Sequence, residues 1–187
     1  EMLKVSRETV RRDLLKLEAA GRIRRVHGGA LAVQIAGEAP FNERRRHNAE
    51  AKQRIARAAA RLMAPGASCF IDAGTTTMAF AAAFSNVPHV NVITNSMDVV
   101  RIVREAQPTA EVILLGGRVG GDFPGIHGEL TIGQINRFRP DMAFVSQVGL
   151  HPKHGATSYH LQEAEVARAM IENANRVILL ADRSKLG

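Results

Sequence analysis

Hydrophobic positions at the start of the chain recur at helical spacing. In SRETVRRDLLKLEAAG, Val10, Leu14 and Leu17 fall at i, i+4 and i+7, which predicts a helix from Ser6 with one apolar stripe. Ser6 suits the N-cap, Glu8 sits in the first turn where the helix dipole favours an acid, and Gly21 provides the stop. The period then changes, and Ile23 and Val26 stand among arginines in RIRRVHGGA, a short β-wing. Residues 31–40 read as a linker ending at Pro40. FNERRRHNAEAKQRIARAAARLMAPG follows as one long helix from Phe41 to Ala64, striped by Ile55, Ala59, Leu62 and Met63 and closed by Pro65-Gly66. Further on, short β-branched runs alternate with helical ones. The expected strands are Ser68–Asp72, His89–Thr94, Glu111–Leu115, Met142–Ser146 and Arg176–Ala181. The expected helices are Thr76–Phe84, Met97–Glu105, Glu129–Phe138 and Gln162–Ala174. Repeated β-α-β of this kind predicts an α/β domain with a parallel sheet covered on both faces.

Composition narrows the class. At 187 residues and 45% apolar, the chain can bury a sizeable core. The net charge of +7 is uneven. Residues 1–30 carry eight basic and four acidic side chains, residues 31–61 seven and three, and residues 62–187 ten and eleven. A polyanion partner is therefore expected for the N-terminal segment alone. Cys69 is the single cysteine, which excludes a disulfide framework and a CxxC zinc site and points to a reducing, cytoplasmic setting. The long uncharged run from Ala73 to Met97 is broken by Thr75, Thr76, Thr77, Asn86, Pro88 and other polar residues, so no membrane span is expected. HPKH at 151–154 lacks the spacing and neighbouring carboxylate of a metal site, and no metal or cofactor is expected. The chain opens on Glu1, so residue 1 is not expected to be the native start.

Opposite the apolar stripe of the first helix lie Glu8, Thr9, Arg12 and Lys16, with Arg7 and Arg11 at the flanks. A basic face at a helix N-terminus suits a DNA major groove, although charge alone favours a solvated helix face. The string VSRETVRRDLLKLEAAGRIRRVHGGA tips the balance, because residues 5–30 resemble the second half of the winged helix-turn-helix of the DeoR family of bacterial repressors. The resemblance implies that Ser6, Arg7, Thr9, Arg12 and Lys16 meet operator DNA, with Arg24, Arg25 and His27 on the wing. That family places a first helix and most of a second ahead of this point, where this chain has only Glu1 to Val5. Weak operator binding by this chain is the expectation. Arg44, Arg45 and Arg46 read either as a second phosphate contact or as the solvated face of a connecting helix.

In parallel sheets, ligands bind at the carboxyl ends of the strands. This chain places polar or glycine-rich segments there: Asp72-Ala-Gly-Thr-Thr-Thr77, Thr94-Asn95-Ser96, Gly116-Gly117, Ser146 to Gly149, and Asp182-x-x-Lys185. Gly74 permits a close turn, and Thr75, Thr76 and Thr77 open a helix whose free N–H groups attract an anion, phosphate above all. Plain helix capping would explain those threonines as well. Neither GxxxxGK[ST] nor GxGxxG is present. Six glycines between Gly116 and Gly128 form either a ligand-gating loop with Arg118, Asp122 and His127 or a surface excursion.

Residues 41–187 also resemble the DeoR-family effector domain, through IDAGTTT, VITNS, VILLGG, GIHGE, FRPDMAF, GLHPKHGAT, EAEVARAMIENA and ILLADRSKLG. That domain shares the Rossmann-like sugar-isomerase fold of ribose-5-phosphate isomerase. The resemblance implies a partial winged helix-turn-helix over 1–30, a linker over 31–40 and an effector domain over 41–187. It further implies a homo-oligomeric repressor, dimer or tetramer, of a sugar or polyol catabolic operon, controlled by a phosphorylated sugar. Asp72, Gly74, Thr75, Thr76 and Thr77 would hold phosphate or hydroxyls, and Thr94, Asn95, Gly116, Gly117, Asp182 and Lys185 would complete the pocket, with Glu163 and Lys153 as further candidates. Two departures stand out: Ala51 where an acid is common, and VSQVG as an atypical ending of the fourth strand. The alternative is a sugar-phosphate isomerase or deaminase using Asp72 or Glu163 as base and Lys185 as electrostatic support. A plain oligomeric ligand-binding module is a third reading. Neither needs a recognition helix and wing, so no catalytic residue is assigned.

Overall fold

A computed structural model of the chain describes residues 6–19, 23–26, 29–32, 39–84, 86–120 and 124–186, with the side chains of Arg7, Arg24, Arg25, Leu31 and Ala32 outside that description. The chain divides into two compact units, Glu1–Ala39 and Pro40–Gly187.

In the first unit, helix α1 spans Arg7–Ala19. Ser6 caps it, its Oγ accepting from the Thr9 backbone N–H at 3.1 Å. Strands β1 (Ile23–Val26) and β2 (Gly29–Ala32) pair antiparallel, with Ile23 opposite Ala32 and Val26 opposite Gly29, and form the wing.

The second unit opens differently from the long helix that the pattern predicts. Helix α2 covers Phe41–Arg46 and α3 covers Ala49–Ala60. Between them Asn48 adopts the left-handed conformation (φ 54°), a region costly for most side chains and tolerated by asparagine. The buried Lys52 stitches the break, its Nζ donating to the Arg44 and His47 carbonyls.

Five parallel strands follow: β3 (Ser68–Ile71), β4 (Asn91–Thr94), β5 (Glu111–Leu114), β6 (Met142–Val145) and β9 (Arg176–Leu179), in the order β5-β4-β3-β6-β9. Helices α4 (Thr75–Ala83), α5 (Met97–Ala106), α6 (Glu129–Ile135) and α7 (Leu161–Asn173) connect them. Alternation along the strands sorts the core into two layers. Cys69, Ile71, Val92 and Phe144 pack with Ala56, Ala59, Phe80, Val99 and Val103, from α3, α4 and α5. Phe70, Ile93, Ala143 and Val145 pack with Ile135, Val166 and Met170, from α6 and α7. A short hairpin escaped the sequence pattern: β7 (Gly149–His151) pairs with β8 (Gly155–Thr157), and Leu150 bridges Leu186.

Candidate functional site

From β3 the chain moves outward to β4 and β5 on one side, and later to β6 and β9 on the other. The order therefore reverses between β3 and β6, which makes the space beyond these two strand ends the expected crevice for a ligand in a sheet of this kind. Asp72 follows β3 directly, its N–H donating to the Phe144 carbonyl of β6 at 3.0 Å. Gly74 lies against the β6 end so tightly that a Cβ on it would meet Ser146 Oγ at 2.4 Å. Helix α4 then begins at Thr75, with its first N–H groups facing the crevice end of the sheet.

Asp72 is fully buried. Its Oδ1 accepts from the Ala73 N–H at 2.7 Å, while its Oδ2 is buried without a hydrogen-bond partner among the described residues. Burial first, and then the charge of Glu163, push its carboxyl up to about 8. Glu163, at the start of α7, is itself buried and accepts from Ser158 Oγ. Two carboxyls thus converge on the α7 side of the crevice. On the β6 loop, Gln147 is 8% exposed and its Nε2 has no hydrogen-bond partner among the described residues.

The other expected site residues divide by what already occupies their polar atoms. Thr94 Oγ1 donates to the Ile71 carbonyl at 2.6 Å. Asn95 accepts from the Ala73 N–H at 2.9 Å and donates to the Ile126 carbonyl at 3.1 Å. Thr77 Oγ1 donates to the Gly74 carbonyl at 2.9 Å. These three brace the β3 loop. Thr76 is buried and Thr75 partly so; Thr75 also lines a cleft of about 200 Å3 with Arg45, Lys52 and Gln53. The Gly116 N–H donates to Gln134 and its carbonyl accepts from Thr131. Gly117 is required by space, since a Cβ there would lie 2.7 Å from the His127 carbonyl oxygen. Arg118 and His127 pair as a bridge that closes the base of the glycine-rich loop, while Asp122 lies outside the described residues.

Asp182 caps the short 3-10 turn Arg183–Lys185. Burial raises its carboxyl, but hydrogen bonds from Ser184 and Asn48, together with Lys185, bring it below the usual range. Asn48 Nδ2 donates to Asp182 Oδ1 at 3.1 Å and to Ser184 Oγ at 3.3 Å, so the break between α2 and α3 is fastened to the loop after β9. Sequence reasoning missed Asn48 and gave Gln147 no role. Lys153 sits at the exposed tip of the β7–β8 hairpin.

In the first unit, Arg12 and Lys16 are exposed on α1, and Thr9 is partly so and hydrogen-bonded to Ser6. Arg24 and Arg25 stand on β1 opposite Leu31 and Ala30, and His27 lies outside the described residues. Among the described residues there is no cluster of three or more metal-ligating side chains, and no helix is long and apolar enough to cross a membrane.

Comparison with known proteins accords with both units. Residues 1–36 match the DeoR-like helix-turn-helix domain, and residues 47–187 match the DeoR C terminal sensor domain. Over 187 residues the chain is 34% identical to the Glycerol-3-phosphate regulon repressor of Escherichia coli, covering all of this chain and 74% of that protein. It is 36% identical to the HTH-type transcriptional repressor GlcR of Bacillus subtilis, over all of this chain and 71% of the relative. With the HTH-type transcriptional regulator IolR of Bacillus subtilis the identity is 31%, over all of this chain and 74% of that one. In fold, the chain is similar to ribose 5-phosphate isomerase A from Methanocaldococcus jannaschii (TM-score 0.54, 17% identity, 75% of this chain and 55% of that one). It is also similar to eIF2B delta from Chaetomium thermophilum (TM-score 0.55, 16% identity, 78% and 51%).

Proposed function

The chain belongs to the DeoR family of bacterial transcriptional repressors, and from that premise we propose that it represses a sugar or polyol catabolic operon in the cytoplasm and answers to a phosphorylated effector. The relatives that match along its whole length are regulators, so the isomerase-like sheet serves as a sensor and not as an enzyme. The observation that carries the effector reading is the reversal of strand order between β3 and β6. It sets the N-terminus of α4 beside a buried carboxyl whose Oδ2 has no hydrogen-bond partner among the described residues. Phosphate suits the Gly74–Thr77 end, where N–H groups and the helix dipole face an anion. Hydroxyls suit the Asp72 end, where a hydroxyl can both give and take a hydrogen bond and the charge of Glu163 would repel phosphate. That one relative represses the glycerol-3-phosphate regulon supports this class of ligand. Operator DNA would meet the exposed Arg12 and Lys16 of α1.

A thermal-shift screen against sn-glycerol 3-phosphate, ribose 5-phosphate, glucose 6-phosphate and fructose 6-phosphate tests the effector. At least one should raise the melting temperature, and Lys185→Ala should weaken that response while leaving operator affinity without effector unchanged. Turnover of any of these compounds would return the isomerase reading.

A further inference from the structure

Gln147 is a buried polar group that its contacts among the described residues leave unexplained. Its side chain is more than nine-tenths buried, yet Nε2 has no hydrogen-bond partner among the described residues. A buried amide without partners is a net cost to the fold, so its place calls for a ligand or for an alternative structural role.

Three observations bring it to the effector crevice. Strands β3 and β6 are neighbours, with Ile71 opposite Phe144, so the segments after them run side by side. Those segments touch, since Gly74 has no room for a Cβ beside Ser146. The side-chain alternation also matches. Phe70 and Val145 both face the α6–α7 core layer, and Asp72 and Gln147 each lie two residues further on. The charge of Glu163, on α7, acts on Asp72 from that same side.

Resting on the effector reading above, we propose that Gln147 is a specificity-determining residue: with Asp72 it reads the hydroxyl end of a phosphorylated polyol or sugar. A hydroxyl both donates and accepts. It can accept from Gln147 Nε2 while its own proton, or that of the Asp72 carboxyl, completes the bond at Asp72 Oδ2. The two unpartnered atoms then satisfy each other through one ligand group. Phosphate fits this end less well, because when ionised it brings no donor of its own and it faces the charge of Glu163. The effector therefore lies with its phosphate toward Thr75 and its carbon chain toward Gln147.

The test compares the wild-type chain with Gln147→Leu, a near-isosteric change without polar atoms. Calorimetry measures affinity for the four organic phosphates named above and for inorganic phosphate, and thermal melting measures the unliganded proteins. Gln147→Leu should weaken the organic phosphate that the wild type binds roughly tenfold, leave inorganic phosphate within about a factor of two, and melt no lower than the wild type. Unchanged affinity for the organic phosphate overturns the role of Gln147 alone. A melting temperature several degrees lower also overturns it, since the amide would then serve the fold. If the wild type binds none of the four, the effector reading itself falls.

Discussion

At the scale of single residues, Asp72 has the strongest consequence. Its carboxyl is pushed from 3.8 up to about 8 by burial and by Glu163. An acid whose pKa rises on folding takes up a proton as the chain folds. Stability from this group is complete below its unfolded value and is lost as pH climbs from about 4 toward 8, by at most about 1.4 kcal/mol per pH unit. Asn cannot ionise, but it keeps an oxygen for the Ala73 N–H. Asp72→Asn should therefore flatten the fall of the urea midpoint between pH 5 and pH 8, and the variant should overtake the wild type near neutral pH. Parallel curves for the two proteins would mean that Asp72 stays charged in the fold. The same residue shows what sequence could reveal. Its place after a β-branched run made it a candidate, yet its unpartnered oxygen and its coupling to Glu163, 91 positions away, arise only when α7 packs on the sheet. Thr94 and Asn95 illustrate the converse. Their position at a strand end looked like ligand chemistry, but their polar atoms hold the β3 loop to the chain itself.

At the scale of elements, each of the five parallel strands begins or ends within two residues of where its β-branched run places it. Burial on both faces demands such runs in the inner strands β3, β4 and β6, whereas the edge strands β5 and β9 stay largely exposed. The break between α2 and α3 was not legible. Residues 41–64 carry continuous helical periodicity, and what interrupts it is Asn48 hydrogen-bonded to Asp182 and Ser184, more than 130 positions along the chain. This clasp joins the segment leading out of the linker to the loop after β9. Asn48→Gly removes the side-chain bonds and keeps the left-handed backbone easy, and should cost about 1–2 kcal/mol in chemical denaturation. Asn48→Ala adds the backbone penalty, for a total of about 2–3 kcal/mol. If glycine matched the wild type, the clasp would contribute nothing and backbone shape alone would account for asparagine there. Hairpin β7–β8 was missed for a related reason. Its strands have three residues each and little apolar alternation, and they are held by pairing with each other and by the bridge from Leu150 to Leu186.

At the scale of the whole molecule, charge separates two modes of anion binding. Residues 1–39 carry eight basic and five acidic side chains, and residues 40–187 carry seventeen and thirteen. The larger unit keeps its surplus before residue 62, because residues 62–187 carry ten basic and eleven acidic groups. The sheet and its crevice are therefore near neutral, and an effector phosphate there would be held by loop N–H groups and hydroxyls, with Lys185 as the nearby cation. Such a site would respond weakly to salt, whereas operator binding, if carried by Arg12, Lys16 and the wing as proposed, would follow counterion release and fall steeply with it. Division of labour on these lines predicts that residues 40–187, produced alone, fold and keep the effector-induced rise in melting temperature across a salt titration. In a mobility shift the same fragment should show no preference for operator over unrelated DNA, since its basic α2 and α3 offer only phosphate contacts. Loss of the effector response from the fragment would show that residues 1–39 complete the pocket, and retained operator preference would move sequence reading out of α1 and into the arginines of α2.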